Sequence, residues 1–180
     1  MAKASKGDAA GALWQRAAGF AARAHQGQVR GDGVTPYFAH PVRVAMTVRD
    51  VFGCDDQEAL AAALLHDVIE DTTTDYDDLA EAFGESVAGI VAALTKNSAL
   101  PAAEREDEYD ARLSRADWRA RLIKLADVYD NFCDQGTLAA AKRKKIAGKL
   151  RRAVELAEAD VERSEVMKRA VKVVKRLGGK

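Results

Sequence analysis

The chain has 180 residues, 48% hydrophobic and 31% charged, with 28 Lys+Arg against 28 Asp+Glu and a formal net charge of zero. That length suits one ordinary domain, and the composition excludes a disordered chain. No run approaches the ~18 apolar residues of a membrane span, and the N-terminus MAKASKGDAAGALW lacks the apolar core of a secretory signal. Two cysteines, Cys54 and Cys133, with no Cys-x-x-Cys, exclude a disulfide framework and a zinc ribbon, so a cytoplasmic location is expected.

Residues 8–28 predict a first helix with Leu13, Ala17, Phe20, Ala21 and Ala24 on one face. The segment GQVRGDGVTPYFAHP follows and is rich in turn residues. Pro41 suits the first position of a second helix running to about Phe52. Asp55 or Asp56 then caps a third, ALAAALLHDVIEDT, which Thr72–Thr74 end. Asp75 or Asp77 opens a short helix that Gly84 stops, and 85–96 form another with Val87, Ile90, Val91 and Leu94 inward. Residues 101–113 read as a solvated helix or loop, 117–134 as a strongly periodic helix, and 137–158 and 160–177 as the last two. No window alternates with period two, so the expected class is all-α, a single bundle of about eight to nine helices over residues 1–180. Residues 138–180 carry 14 Lys/Arg and 5 Asp/Glu, a net of +9, against −9 elsewhere. Such a tail reads as basic helices docked on an acidic body, or as cations for a phosphate-bearing ligand.

Charged groups inside an apolar helix are costly unless paired or metal-bound. His66, Asp67, Glu70 and Asp71 all lie in the apolar third helix, where i, i+4 spacing pairs His66 with Glu70 and Asp67 with Asp71. Carboxylates that close repel unless a cation sits among them. In RLIKLADVYDN, Asp127 and Asn131 share a polar strip with Lys124, and His40 sits at the mouth of the second helix. Two imidazoles and two carboxylates suit Mn²⁺, or another divalent ion such as Fe²⁺, Zn²⁺ or Co²⁺. Such an ion polarises a phosphoryl oxygen and acidifies water. The plainer alternatives are a satisfied buried His66–Asp67 pair, a helix-capping His40 and an Asp127–Lys124 salt bridge. His25, outside the motif, reads as structural, and Cys133 as a small buried apolar residue.

The stretches AARAHQGQVRGDGVTPYFAHPVRVA, ALLHDVIEDT, FGESVAGIVAALTK, RLIKLADVYDN and KRKKIAGKL, across roughly 18–150, resemble the HD-type hydrolase domain of the Rel/Spo alarmone enzymes. In length the chain is similar to their small stand-alone hydrolases. The resemblance implies a Mn²⁺-dependent 3′-pyrophosphohydrolase of ppGpp or pppGpp. It implies His40, His66, Asp67 and Asp127 as metal ligands, and Glu70 and Asp71 as the pair that positions or activates water. Arg30 would pack on the base, Asn131 would contact the nucleoside and Lys144 would lie near the phosphates, the plain alternatives for Arg30 and Lys144 being a solvated loop and tail. The chain departs from the family at Gly31 after Arg30, at Phe132-Cys133 after Asn131, and at Asp134, where the family often has Thr. These positions bear on the nucleotide pocket, leaving room for ppApp or the 2′-phosphate of NADPH as substrate. A non-catalytic nucleotide- or nucleic-acid-binding module is the reading from another class. Glu70 and Asp71 beside a metal set argue against it. No membrane partner is expected, and homo-oligomer formation is open.

Overall fold

A computed structural model describes residues 6–134 and 140–178. In chain order the elements are α1 (Lys6–Ala24), α2 (Ala39–Met46) running into a π-turn (Thr47–Val51), α3 (Gln57–Leu65), α4 (Val68–Asp71), α5 (Tyr76–Phe83) and α6 (Glu85–Leu94). They continue with α7 (Ala102–Arg115), α8 (Trp118–Cys133), α9 (Ala140–Ala157), a 3-10 turn (Glu158–Asp160) and α10 (Glu165–Gly178). The fold is all-α; among the described residues the only β-type pairing is an isolated bridge between Val29 and Pro36. No described helix is long and apolar enough to cross a membrane.

α3 is the axle. Every residue from Ala59 to Leu65 is buried, as expected of a helix apolar on all sides. It packs on α1, α2, α6 and α8. Asp56 starts it by accepting the Ala59 N–H at 2.8 Å. Asp75, not Asp77, caps α5 through a reciprocal capping box with Asp78. Gly84, at φ +88°, separates α5 from α6 in a conformation that disfavours a side chain.

Four expectations are corrected. α1 ends at Ala24, not 28, because His25–Gln28 close into turns and Gly27 takes φ +81°. α2 begins at Ala39, so Pro41 sits inside the first turn, where its missing N–H leaves no bond unmade. The third helix is two helices. The Nδ1–H of His66 donates to the Ala63 carbonyl at 2.9 Å, the acceptor an unbroken helix would give to the Asp67 amide, and Asp67 takes φ −104°, ψ −2°. Cys133 is exposed on the last turn of α8, while Cys54 is buried.

The basic tail docks mainly through apolar contacts. Leu150, Ala153, Val154 and Ala157 of α9 and Met167, Ala170, Val171 and Val174 of α10 are buried, and the two helices pack on α8 and on each other. Arg152 reaches Asp110 of α7 at 2.6 Å, a tail-to-body ion pair. Arg121 of α8 holds the turn before α10 through Asp160, at 2.5 and 3.0 Å.

Candidate active site

The break between α3 and α4 faces the start of α2 and the middle of α8. His40, His66 and Asp67 each offer a ligand atom there, all within 4.8 Å of one another. His66 Nε2 lies 3.0 Å from Asp67 Oδ2, and His40 Nε2 lies 3.6 Å from the same oxygen. Asp127 Oδ1 is 3.4 Å from His40 Nε2. The other oxygen of Asp127 accepts from Lys124 Nζ at 2.8 Å, so the salt bridge weighed from the sequence exists beside the cluster. Asn131 donates to Asp127 Oδ1 at 2.5 Å and to its carbonyl at 3.1 Å.

His40 is held from behind. Its Nδ1 faces Asp130 Oδ2 at 2.6 Å, and Arg43 grips both oxygens of Asp130 at 2.6 and 2.9 Å. With Nδ1 engaged, Nε2 is the atom turned toward Asp67 and Asp127. Tyr37 completes the wall: its hydroxyl lies 2.7 Å from Asp67 Oδ2 and 2.9 Å from Asp71 Oδ2. His25 stacks on Tyr37, with ring centroids 4.8 Å apart, and its Nδ1 meets Gln28 Oε1 at 2.8 Å, in keeping with a structural role.

The electrostatics follow from this crowding. Burial opposes a charged His66, but the Asp67 and Asp127 carboxylates overcome it and push the imidazole up to about 9. Burial would raise Asp67, yet His66 and His40 bring it down to about 2. Asp127 is likewise held well below the usual carboxylate range, against its own burial, by Lys124 and His40. Tyr37 is pushed far up by burial and by Asp67 and Asp71, so it stays a protonated donor.

Glu70 and Asp71 sit on α4, one turn past the cluster. Glu70 Oε2 accepts the backbone N–H of Lys96 at 3.0 Å. Both line a cleft of about 190 Å³ together with His40, His66, Asp67, Asp127, Arg30 and Asn131. Arg30 is aimed there by a tight loop in which Asp32 accepts the N–H groups of Val34 and Thr35, each at 2.9 Å. Its guanidinium lies over the Tyr37 ring, 5.5 Å from the centroid, and donates to Asn131 Oδ1 at 3.0 Å and Asp134 Oδ2 at 3.1 Å. Lys144 falls on the α9 backbone, and its side chain lies outside the described residues.

The sequence reading therefore gathered eight residues that share one cleft and passed over Tyr37, Asp130, Arg43, Lys96, Tyr109 and Lys149. Tyr37 lies three residues before His40 and Asp130 three after Asp127, the one signal that could have marked them.

The donor set suits a divalent ion. It is nitrogen and oxygen with no thiolate, which favours Mn²⁺-like ions over soft ones. His66 Nε2 is buried and makes no well-aligned hydrogen bond, its nearest acidic oxygen being Asp67 Oδ2 at 3.0 Å. Such an atom is costly unless something binds it.

Residues 17–154 match the family described as HD domain. The chain is 40% identical over 116 residues to the guanosine-3′,5′-bis(diphosphate) 3′-pyrophosphohydrolase MESH1 of Danio rerio, an alignment covering 64% of each chain. It is 40% identical over 130 residues to the bifunctional (p)ppGpp synthase/hydrolase SpoT of Escherichia coli K12, covering 69% of this chain and 18% of that one. The chain thus spans under two thirds of the first of these relatives and under a fifth of the second. A solved structure described as a metazoan ortholog of SpoT that hydrolyzes ppGpp superposes with a TM-score of 0.77 at 26% identity, covering 98% of this chain and 97% of the other.

Proposed function

The chain belongs to the HD-domain family, and on that premise we propose that it is a cytoplasmic, metal-dependent 3′-pyrophosphohydrolase of guanosine alarmones. It converts ppGpp or pppGpp to GDP or GTP and pyrophosphate. The observation that carries this reading is the gathering of His40, His66 and Asp67 in one cleft, each with a ligand atom within 4.8 Å of the others. The names of the relatives at 40% identity point the same way. Residues 1–180 act as one domain, the motif core at 18–150 backed by the C-terminal helices.

In this reading His40, His66, Asp67 and Asp127 hold one divalent ion, with Mn²⁺ the ion proposed. When bound, that ion supplies positive charge that polarises a phosphoryl oxygen and acidifies water. The remaining work falls to side chains. Glu70 and Asp71 orient the water and take a proton from it, while the Tyr37 hydroxyl keeps Asp71 fixed against Asp67. Arg30 presents its flat guanidinium to the purine, and Asn131 contacts the nucleoside. Lys144 contributes positive charge near the phosphates. One water is consumed, the bond between the ribose 3′-oxygen and phosphorus breaks, and a proton ends on that oxygen. The test is incubation of the Mn²⁺-loaded protein with ppGpp, ppApp and NADPH, with products resolved by ion exchange. Release of pyrophosphate from ppGpp, faster than any product from the other two, is expected. Preference for ppApp or NADPH would overturn the substrate, and no turnover of any would overturn the reading.

A further inference from the structure

Beyond the acidic cluster the cleft ends in a wall made of cations. Lys96, Lys124, Lys149 and Tyr109 line the 190 Å³ cleft, and the same four line a second cavity of about 210 Å³ bounded further by Gly148 and Arg152. Lys96 Nζ lies 5.2 Å and Lys124 Nζ 5.5 Å from the Tyr109 ring centroid, so the two ammonium groups flank one aromatic ring. Lys124 is bonded to Asp127 and Lys96 is paired with Glu106. No ion pair of Lys149 exists among the described residues. Tyr109 is 3% exposed, and its hydroxyl has no hydrogen-bond partner. A buried hydroxyl left without a partner, beside an ammonium with no ion pair among the described residues, suits an incoming acceptor. Burial and the nearby ammonium groups of Lys124 and Lys96 also hold Lys149 below its ordinary value.

We propose that Lys96, Lys124, Lys149 and the Tyr109 hydroxyl form a polyanion pocket that receives the pyrophosphate released at the His/Asp cluster. Each ammonium brings up to three donors and no acceptor, which suits an anion with many oxygens. The wall stands between the cluster and the second cavity, so the departing group moves from the acidic side to the basic side. The backbone N–H of Lys96 also binds Glu70, tying the pocket to the carboxylate that handles the water. The proposal rests on the hydrolytic reading above, but its test does not need turnover.

The protein is loaded with stoichiometric Mn²⁺, freed of excess metal and titrated calorimetrically with inorganic pyrophosphate. Wild type is compared with Lys149→Gln and Tyr109→Phe. Lys149 is at the exposed edge of the wall, so its replacement leaves the fold intact. Losing one charge-assisted contact should weaken pyrophosphate about tenfold in Lys149→Gln and less in Tyr109→Phe, with bound Mn²⁺ and melting temperature at wild-type values. The product-inhibition constant of pyrophosphate should rise in parallel. Unchanged pyrophosphate affinity in both variants, or none in wild type, overturns the pocket. Pyrophosphate binding that depends on Lys149, in a protein that leaves ppGpp intact, overturns the hydrolytic reading alone.

Discussion

The imidazole Nδ1 of His40 lies 2.6 Å from a carboxylate oxygen of Asp130, ninety residues away in the chain. Both side chains are buried, and Arg43 holds the far side of the carboxylate. This contact decides which nitrogen of His40 is free to face Asp67 and Asp127. Partners behind a metal-bound histidine commonly change metal affinity by about 10–100-fold when replaced. Asp130→Asn should weaken Mn²⁺ by that order while the helical signal in circular dichroism is retained. Unchanged Mn²⁺ affinity by titration would show that Asp130 serves packing only.

Protons and metal compete for the same atoms. Without metal, His66 titrates at about 9, above the ~6.5 of an unfolded histidine. Its contribution to the stability of the metal-free protein is therefore fully present below about pH 6.5 and is lost as pH rises through 9. A metal needs neutral imidazoles, so uptake at pH 7 must expel a proton from His66. His40, held above its ordinary value against its own burial by Asp127 and Asp130, adds to the release. Apparent Mn²⁺ affinity should rise by up to about tenfold per pH unit for each proton released through this range, while metal-free stability falls. Calorimetry in two buffers of different ionisation enthalpy reads the proton count directly. A count of zero at pH 7 would mean that His66 is not a ligand.

The cleft cluster was legible because His66, Asp67 and Asp127 interrupt apolar helices, which is costly without a reason. Asp130 was hidden by the same logic. In VYDN it is one more carboxylate beside Asn131, and only the fold brings it to His40. The break at His66 was hidden because hydrophobic period does not register an imidazole that takes a backbone carbonyl from the next turn. In KRKKIAGK every candidate is a cation, so sequence alone cannot say that Lys149 reaches the cleft. Cys133 was misplaced because its neighbours Phe132 and Tyr129 do pack on the core, while Cys133 itself lies on the outer face of the last turn.

Glu70 lies on α4, one turn past the clustered ligand atoms, and lines the same cleft. Its carboxylate is held in place by the Lys96 backbone N–H at 3.0 Å. Glu70→Gln keeps the shape and the acceptor oxygen while removing the base. Turnover should fall by the ~10²–10⁴-fold typical of general acid–base groups. Metal content and nucleotide affinity should stay near wild type. Wild-type kcat in this variant would leave Asp71 as the carboxylate that handles the water.

Arg30 is held over the cleft by its own neighbours. Asn131 and Asp134 take its N–H groups at 3.0 and 3.1 Å, and Asp134 also binds Arg43 at 3.0 Å. The edge of the guanidinium is therefore occupied while the group stays over Tyr37 at the cleft. A stacked base is held alike in the ground and transition states, so its loss acts on binding rather than on chemistry. Arg30→Ala should raise KM about tenfold, the size of a desolvated cation–π contact, and change kcat by less than about threefold. Arg30→Lys separates charge from shape. A lysine keeps the positive charge but lacks the planar fork, so it should recover little of the lost affinity if stacking is the role. Full recovery by lysine would show that Arg30 acts as a point charge toward phosphate. An unchanged KM in Arg30→Ala would leave Arg30 as a partner of Asp134 and nothing more.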